Sequence, residues 1–130
     1  MKNDLEEFSR VLGDVYLWME RHSVCEASQF TLSLVFEELV RNVMRHAYGE
    51  SDPSREIGIE LNEDGTTVVL CVEDDGPAFD PTAAPSVDTA APVENREEGG
   101  LGIHLVRTMV NEVRYERRGG TNAVSVRVPR

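Results

Sequence analysis

Four of the chain's six prolines fall between Pro77 and Pro92, among alanine, serine and threonine. Proline fixes φ and removes a backbone donor, so residues 77–98 are closed to a core helix or a central strand. A loop of this length inside a chain of 130 residues is expected to be a lid or a disordered segment. It divides the chain into two parts, 1–76 and 99–130.

In the first part, Leu5, Phe8, Leu12, Val15, Tyr16 and Met19 recur at three- and four-residue spacing, which predicts a helix over 4–21. Asn3 and Glu6 have the form of a cap and its answering carboxylate. The segment His22–Cys25 interrupts the pattern, and a second helix is predicted from Ala27 to Tyr48. Its apolar positions are Phe30, Leu34, Val35, Leu39, Val43 and Met44, widened by Leu32 and Phe36. Gly49 is placed to end it, and Glu50–Ser54, with Pro53, reads as a turn. Alternation then predicts strands over Glu56–Leu61 and Thr66–Val72. Asn62–Gly65 between them is a hairpin turn.

Beyond the proline-marked loop, Gly99-Gly100-Leu101-Gly102 precedes a predicted helix, Ile103–Val110. Strands Asn111–Arg117 and Asn122–Val128 close the chain around Gly119-Gly120. Helices on one face of a mixed, mostly antiparallel sheet make an α/β two-layer sandwich. The length suits one domain over 1–130 with its own core.

Charge narrows the function. The net charge is −11, and residues 51–98 hold 13 acidic side chains against two basic ones. A free nucleic-acid binder usually carries the opposite sign, so no direct nucleic-acid contact is expected. Cys25 and Cys71 have neither metal-site spacing nor a disulfide framework. No run of 18 apolar residues and no basic-then-apolar leader occurs, so a cytoplasmic protein with no membrane contact is expected.

Three clusters carry chemistry. Glu38 and Asn42, four residues apart, point to one side of the second helix. A carboxylate beside an amide oxygen suits a general base next to a hard cation. Taken alone, the cluster reads more simply as a solvated face on which Glu38 pairs with Arg41 or Arg45. Asp74-Asp75-Gly76 ends a strand, where the acid either accepts from a ligand amino group or shapes a turn. Gly99–Gly102 opens a helix, whose free N–H groups and positive end favour phosphate, or which simply starts there. It lacks the Gly-Lys-Ser/Thr of a P-loop and does not directly follow a strand.

In combination the three are specific. Phe36-Glu37-Glu38-Leu39-Val40-Arg41-Asn42-Val43-Met44-Arg45-His46-Ala47-Tyr48, Val72-Glu73-Asp74-Asp75-Gly76-Pro77-Ala78-Phe79-Asp80-Pro81 and Gly99-Gly100-Leu101-Gly102-Ile103-His104-Leu105-Val106 follow in that order with a lid between the last two. The chain resembles the GHKL (Bergerat-fold) ATP-binding family from about residue 5 to 128. Within it, the small anti-sigma-factor serine/threonine kinases are most similar. The resemblance implies ATP and Mg²⁺ as cofactors. It implies Glu38 as the general base and Asn42 as the metal ligand. Asp74 accepts from the adenine amino group, Gly76 and Ala78 line the base, and Gly99, Gly100, Leu101 and Gly102 wrap the phosphates. His46 either touches the phosphate side or is a structural histidine.

Two departures stand out. Ala78 replaces a family glycine, and Glu98 stands where such kinases can carry an arginine for the γ-phosphate. Arg96 is the one basic side chain in the lid and is placed to substitute. The activity implied is phosphorylation of Ser or Thr on an anti-sigma-factor antagonist of the STAS type. A sigma factor is the second implied partner, and a homodimer the implied oligomer. The alternative is a catalytically weak or inactive nucleotide-binding module that regulates by protein–protein binding only. A histidine kinase would need a phosphoacceptor helical domain, for which the one-domain length is expected to leave no room.

Overall fold

The computed structural model describes residues 1–48, 55–80, 110 and 112–130. Helix α1 spans Leu5–Arg21 and α2 spans Glu26–Asn42, which continues as a π-helical turn, Val43–Tyr48. Strands β1 (Gly58–Glu63), β2 (Thr67–Asp74), β3 (Glu112–Arg118) and β4 (Thr121–Pro129) form one sheet in the order β1-β2-β4-β3. Every neighbouring pair is antiparallel, so the described sheet is antiparallel throughout rather than mixed. The predicted helix Ile103–Val110, the Gly99–Gly102 stretch and the lid beyond Asp80 lie outside the described residues, apart from Val110.

Helix α1 begins one residue later than the sequence suggests. Its cap is Asp4, whose Oδ1 accepts from the Glu7 amide at 2.9 Å. Asn3 is instead fully buried, and its amide donates to the Arg55 carbonyl. The first residues are drawn alongside the sheet. Met1 exchanges hydrogen bonds with Ile57 in both directions, and Lys2 bridges Glu56. Pairing of this kind leaves no periodicity to read. Asn3 and Glu6 therefore do not form the expected capping box, and the Glu7 carboxylate turns forward to Arg10.

One face of the sheet is the core. Val68, Leu70 and Val72 of β2 and Val124, Val126 and Val128 of β4 are buried, as period-two alternation demands. Helix α2 packs across β2 and β4 through Leu32, Val35, Phe36, Leu39 and Val40. Helix α1 packs on α2, with the rings of Phe8 and Phe36 stacked 5.5 Å apart. Phe30 and Leu34, expected to face inward, are 62% and 40% exposed. At about 100° per residue they lie roughly 120° and 160° round the helix from Phe36, beyond the covered stripe. Leu5 and Tyr16 of α1, also expected to face inward, are exposed as well.

The β1–β2 turn is built on Asp64, followed by Gly65 at φ +92°. The Asp64 carboxylate accepts from the amides of Thr66 and Thr67 and from the Thr67 hydroxyl. These donors hold its pKa well below the usual carboxylate range. A lowered carboxyl contributes stability above its unfolded value, lost as pH falls toward the folded one. The melting-temperature gap between wild type and Asp64→Ala is therefore expected to be widest near neutral pH. It should close as pH falls below about 4. Thermal melts at pH 7 and pH 2.5 check this, and a gap that is constant with pH would contradict it.

Candidate functional site

Helix α2 and strand β2 run in the same sense, which decides where the chemistry sits. At one end, the Ser28 hydroxyl of α2 donates to the carbonyl of Pro129. Pro129 pairs with Thr67, the first residue of β2. From Ser28 to Asn42 the helix advances about 21 Å at 1.5 Å per residue. From Thr67 to Asp74 the strand advances about 24 Å at 3.4 Å per residue. The end of α2 that carries Glu38 and Asn42 therefore lies at the same end of the sandwich as Asp74.

Glu37 rather than Glu38 takes the nearby arginine. Arg41 pairs with Glu37 Oε1 at 3.0 Å. Glu38 is half-buried, and its Oε1 is enclosed with no hydrogen-bond partner. Burial pushes its carboxyl above the usual range, offset in part by the charges of Arg45 and Arg41. One turn on, Asn42 is 5% exposed and its Nδ2 is likewise buried with no partner. Buried polar groups are normally hydrogen-bonded, and each exception calls for an explanation such as strain, a bound water or ion, or a catalytic role. Two such exceptions on adjacent turns are inconsistent with a solvated ion-pair face. A cleft of about 250 Å³ opens at this end of the helix, lined by Leu5, Arg41, Met44 and Arg45 and not by Glu38 or Asn42.

The helix changes register where this cluster ends. Val43–Tyr48 is π-helical, not the continued α-helix the spacing suggests, and π-turns gather at functional sites. His46 lies in it, with its side chain outside the described residues.

Across the sheet, Asp74, Asn122 and Arg117 form one cross-strand row at the end of the core face. Asp74 Oδ1 accepts from the Gly76 amide at 2.9 Å and from Asn122 Nδ2 at 3.0 Å. Gly76 is buried, whereas Ala78 is exposed in irregular chain. Asn122 is 2% exposed. It continues the inward phase of Val124, Val126 and Val128, so an amide occupies a position where the pattern calls for an apolar side chain. That signal was legible in the sequence, and Asn122 is the site residue which motif reading alone misses. Tyr115 and Arg117 have no equivalent motif signal.

The structure thus brings Glu38, Asn42, Asp74 and Gly76 to one end. Arg96, Gly99, Gly100, Leu101 and Gly102 lie outside the described residues. The donor set suits a hard cation: carboxylate and amide oxygens are magnesium-type ligands. No cluster of three His, Cys, Asp or Glu occurs among the described residues. Mg²⁺ commonly takes one or two protein ligands and completes its shell with phosphates and water, so the residues present fit it.

Comparison with known proteins identifies the family and the fold. The family described as the histidine kinase-like ATPase domain matches residues 1–128. The chain is 30% identical over 117 residues to the serine/threonine-protein kinase BtrW of Bordetella bronchiseptica, covering 87% of this chain and 82% of that one. It is 30% identical over 94 residues to the serine-protein kinase RsbW of Bacillus subtilis, covering 68% of this chain and 58% of that one. It thus spans a little over half the length of that second relative. Among solved structures, the catalytic domain of histidine kinase ThkA superposes with a TM-score of 0.58 at 19% identity, covering 93% of this chain and 90% of that one. The Acinetobacter baumannii histidine kinase AdeS does so at 0.52 and 17%, over 78% of this chain and 46% of that one. At these identities the two structures speak for the fold.

Proposed function

Because this chain belongs to the histidine kinase-like ATPase domain family, we propose that it is a Mg²⁺·ATP-dependent serine/threonine protein kinase acting as an anti-sigma regulatory factor. Its protein substrate is an anti-sigma-factor antagonist of the STAS type. Its second partner is a sigma factor, held in the alternate state. The reading is supported by relatives named serine/threonine-protein kinases at about 30% identity. The observation that carries it is the pair of buried, unpartnered polar atoms on Glu38 and Asn42, at the same end of the fold as Asp74.

In this reading Glu38 is the general base. The carboxylate is half-buried, and its oxygen other than the enclosed Oε1 is the one an incoming Ser or Thr hydroxyl would meet. A carboxyl raised by burial is the better base once ionised. The charges of Arg45 and Arg41 offset part of that rise, against the neighbouring charge of Glu37. Asn42 would hold Mg²⁺ through its amide oxygen, and the ion would neutralise phosphate charge near this acidic chain. Asp74 accepts from the adenine amino group through the oxygen not committed to Gly76 and Asn122. Gly99, Gly100, Leu101 and Gly102 wrap the phosphates, and Arg96 stands in for the γ-phosphate arginine displaced by Glu98. The unit acts as one domain over 1–130, as a homodimer, in the cytoplasm. Among the described residues no helix is long and apolar enough to cross a membrane.

The direct test is incubation with Mg²⁺ and γ-labelled ATP together with the STAS-type antagonist from the same organism. Label should move to a Ser or Thr of that protein. Intact nucleotide binding with no transfer would refute the kinase and leave the binding-only module. A second expectation concerns the base. Asp74→Asn turns an acceptor into a donor where the amino group arrives and removes a charge-assisted bond. ATP affinity should fall about ten- to a hundredfold. Calorimetric titration measures this, and an unchanged Kd would remove Asp74 from the base pocket.

A further inference from the structure

Asn122 makes a complete set of hydrogen bonds, and their polarity is one-directional. Its Oδ1 accepts from the Tyr115 hydroxyl at 2.5 Å and from an Arg117 guanidinium nitrogen at 2.9 Å. Its Nδ2 donates to Asp74 Oδ1 at 3.0 Å and to the Pro77 carbonyl at 2.8 Å. The same Arg117 nitrogen also donates to the Gly76 carbonyl at 3.0 Å. An amide can turn over and exchange its two ends, but a guanidinium can only donate. Arg117 and Tyr115 therefore hold the Asn122 oxygen toward themselves and its nitrogen toward Asp74.

The consequence falls on Asp74. Facing an N–H from Asn122 and another from Gly76, its Oδ1 is fixed as an acceptor. The second oxygen takes part in neither bond and is the acceptor left for a ligand. Were the Asn122 amide reversed, two oxygens would face each other, and Asp74 would lose the donor that fixes its orientation. A carboxylate no longer fixed in direction would lose its aim at an amino group on the incoming base, and with it the distinction from an oxo group.

We propose that Tyr115 and Arg117 are positioning residues that set the choice between amino and oxo bases at this site. They act through Asn122 on Asp74 and touch no ligand themselves. The proposal rests on the reading above that Asp74 faces the purine. It gives the β3–β4 hairpin a role in recognition that neither its sequence nor the matched motifs assign. Arg117, Asn122 and Asp74 occupy one row of the sheet, so strand register delivers the relay.

The test compares Mg²⁺ complexes of ATP, purine riboside triphosphate, which lacks the 6-amino group, and GTP, which carries an oxo group there. Wild type should bind ATP at least tenfold more tightly than either. In Arg117→Met with Tyr115→Phe, that preference should fall to within about threefold. Arg117→Lys should recover much of it. A purely structural role would weaken all three ligands alike and leave the ratios unchanged, and that result overturns the proposal. Should the double variant fail to fold, Arg117→Met alone, altering a side chain largely at the surface, carries the same ratio test. A wild type that binds no triphosphate, or all three equally, would instead refute the base-facing role of Asp74. The two failures are therefore distinguishable.

Discussion

Glu38→Ala is expected to lower phosphoryl transfer to the antagonist about 10²–10⁴-fold while leaving nucleotide binding nearly intact. That range is what a positioned general base contributes. The separation of the two effects follows from the geometry. Glu38 sits on α2 with one oxygen enclosed and unpartnered, whereas base recognition is assigned to Asp74 across the sheet. Single-turnover transfer and an ATP titration on the same preparation measure both. Transfer within about threefold of wild type would remove Glu38 from the reaction.

The same residue yields a stability signature with the opposite sign. Its carboxyl is raised by burial, so ionisation is harder in the folded chain than in the unfolded one. Below the ordinary glutamate value both states hold the proton. As pH rises from there through the raised value, the unfolded chain ionises first and folding loses free energy. Glu38→Gln, which keeps the shape without the charge, should therefore melt higher than wild type at neutral pH and gain little at pH 4. A site residue that destabilises its own fold is the expected cost of function. A surface carboxylate in an ion pair with Arg41 would give the reverse.

How far the sequence reaches depends on the kind of signal each element carries. The two helices and four strands described are legible because each repeats an apolar period over two or more turns or four or more residues. Their ends are not, because caps are decided by a single side chain. Asp4 and Asn3 are equally good caps in isolation. The choice falls to Asp4 because Asn3 is drawn into pairing beside Ile57. Phe30 and Leu34 mislead because hydrophobicity does not say which part of a wide stripe the sheet will cover. At the site, Glu38, Asn42 and Asp74 are legible as motifs, but their unpartnered atoms are not. Burial at the end of a helix depends on where the sheet ends. Asn122 is an intermediate case: its inward phase is readable, its partners are not. Tyr115 and Arg117 become site residues only through the register of β3 against β4.

Phe36→Ala is expected to be the most damaging single change to the fold. Phe36 is fully buried, stacks on Phe8 of α1 and belongs to the core cluster with Leu32 and Val40. Truncating a buried phenylalanine costs about 3–5 kcal/mol, the transfer term plus an uncollapsed cavity. A domain of this size holds only about 5–15 kcal/mol in all. The variant should therefore show a large drop in urea midpoint, with Phe36→Leu losing much less. The loss also bears on function, since Phe36 stands two residues before Glu38 and holds α2 between α1 and the sheet. Ligand linkage separates these effects. Mg²⁺·ATP at a hundred times its Kd should return about 2.7 kcal/mol to any variant whose site still forms. If Phe36→Ala unfolds less than about 1 kcal/mol more easily than wild type, the α1–α2 seam is not what seats the Glu38 turn. If it is strongly destabilised and regains stability with nucleotide, the seam supports the site without being part of it. That is the arrangement the packing of Phe8 on Phe36 describes.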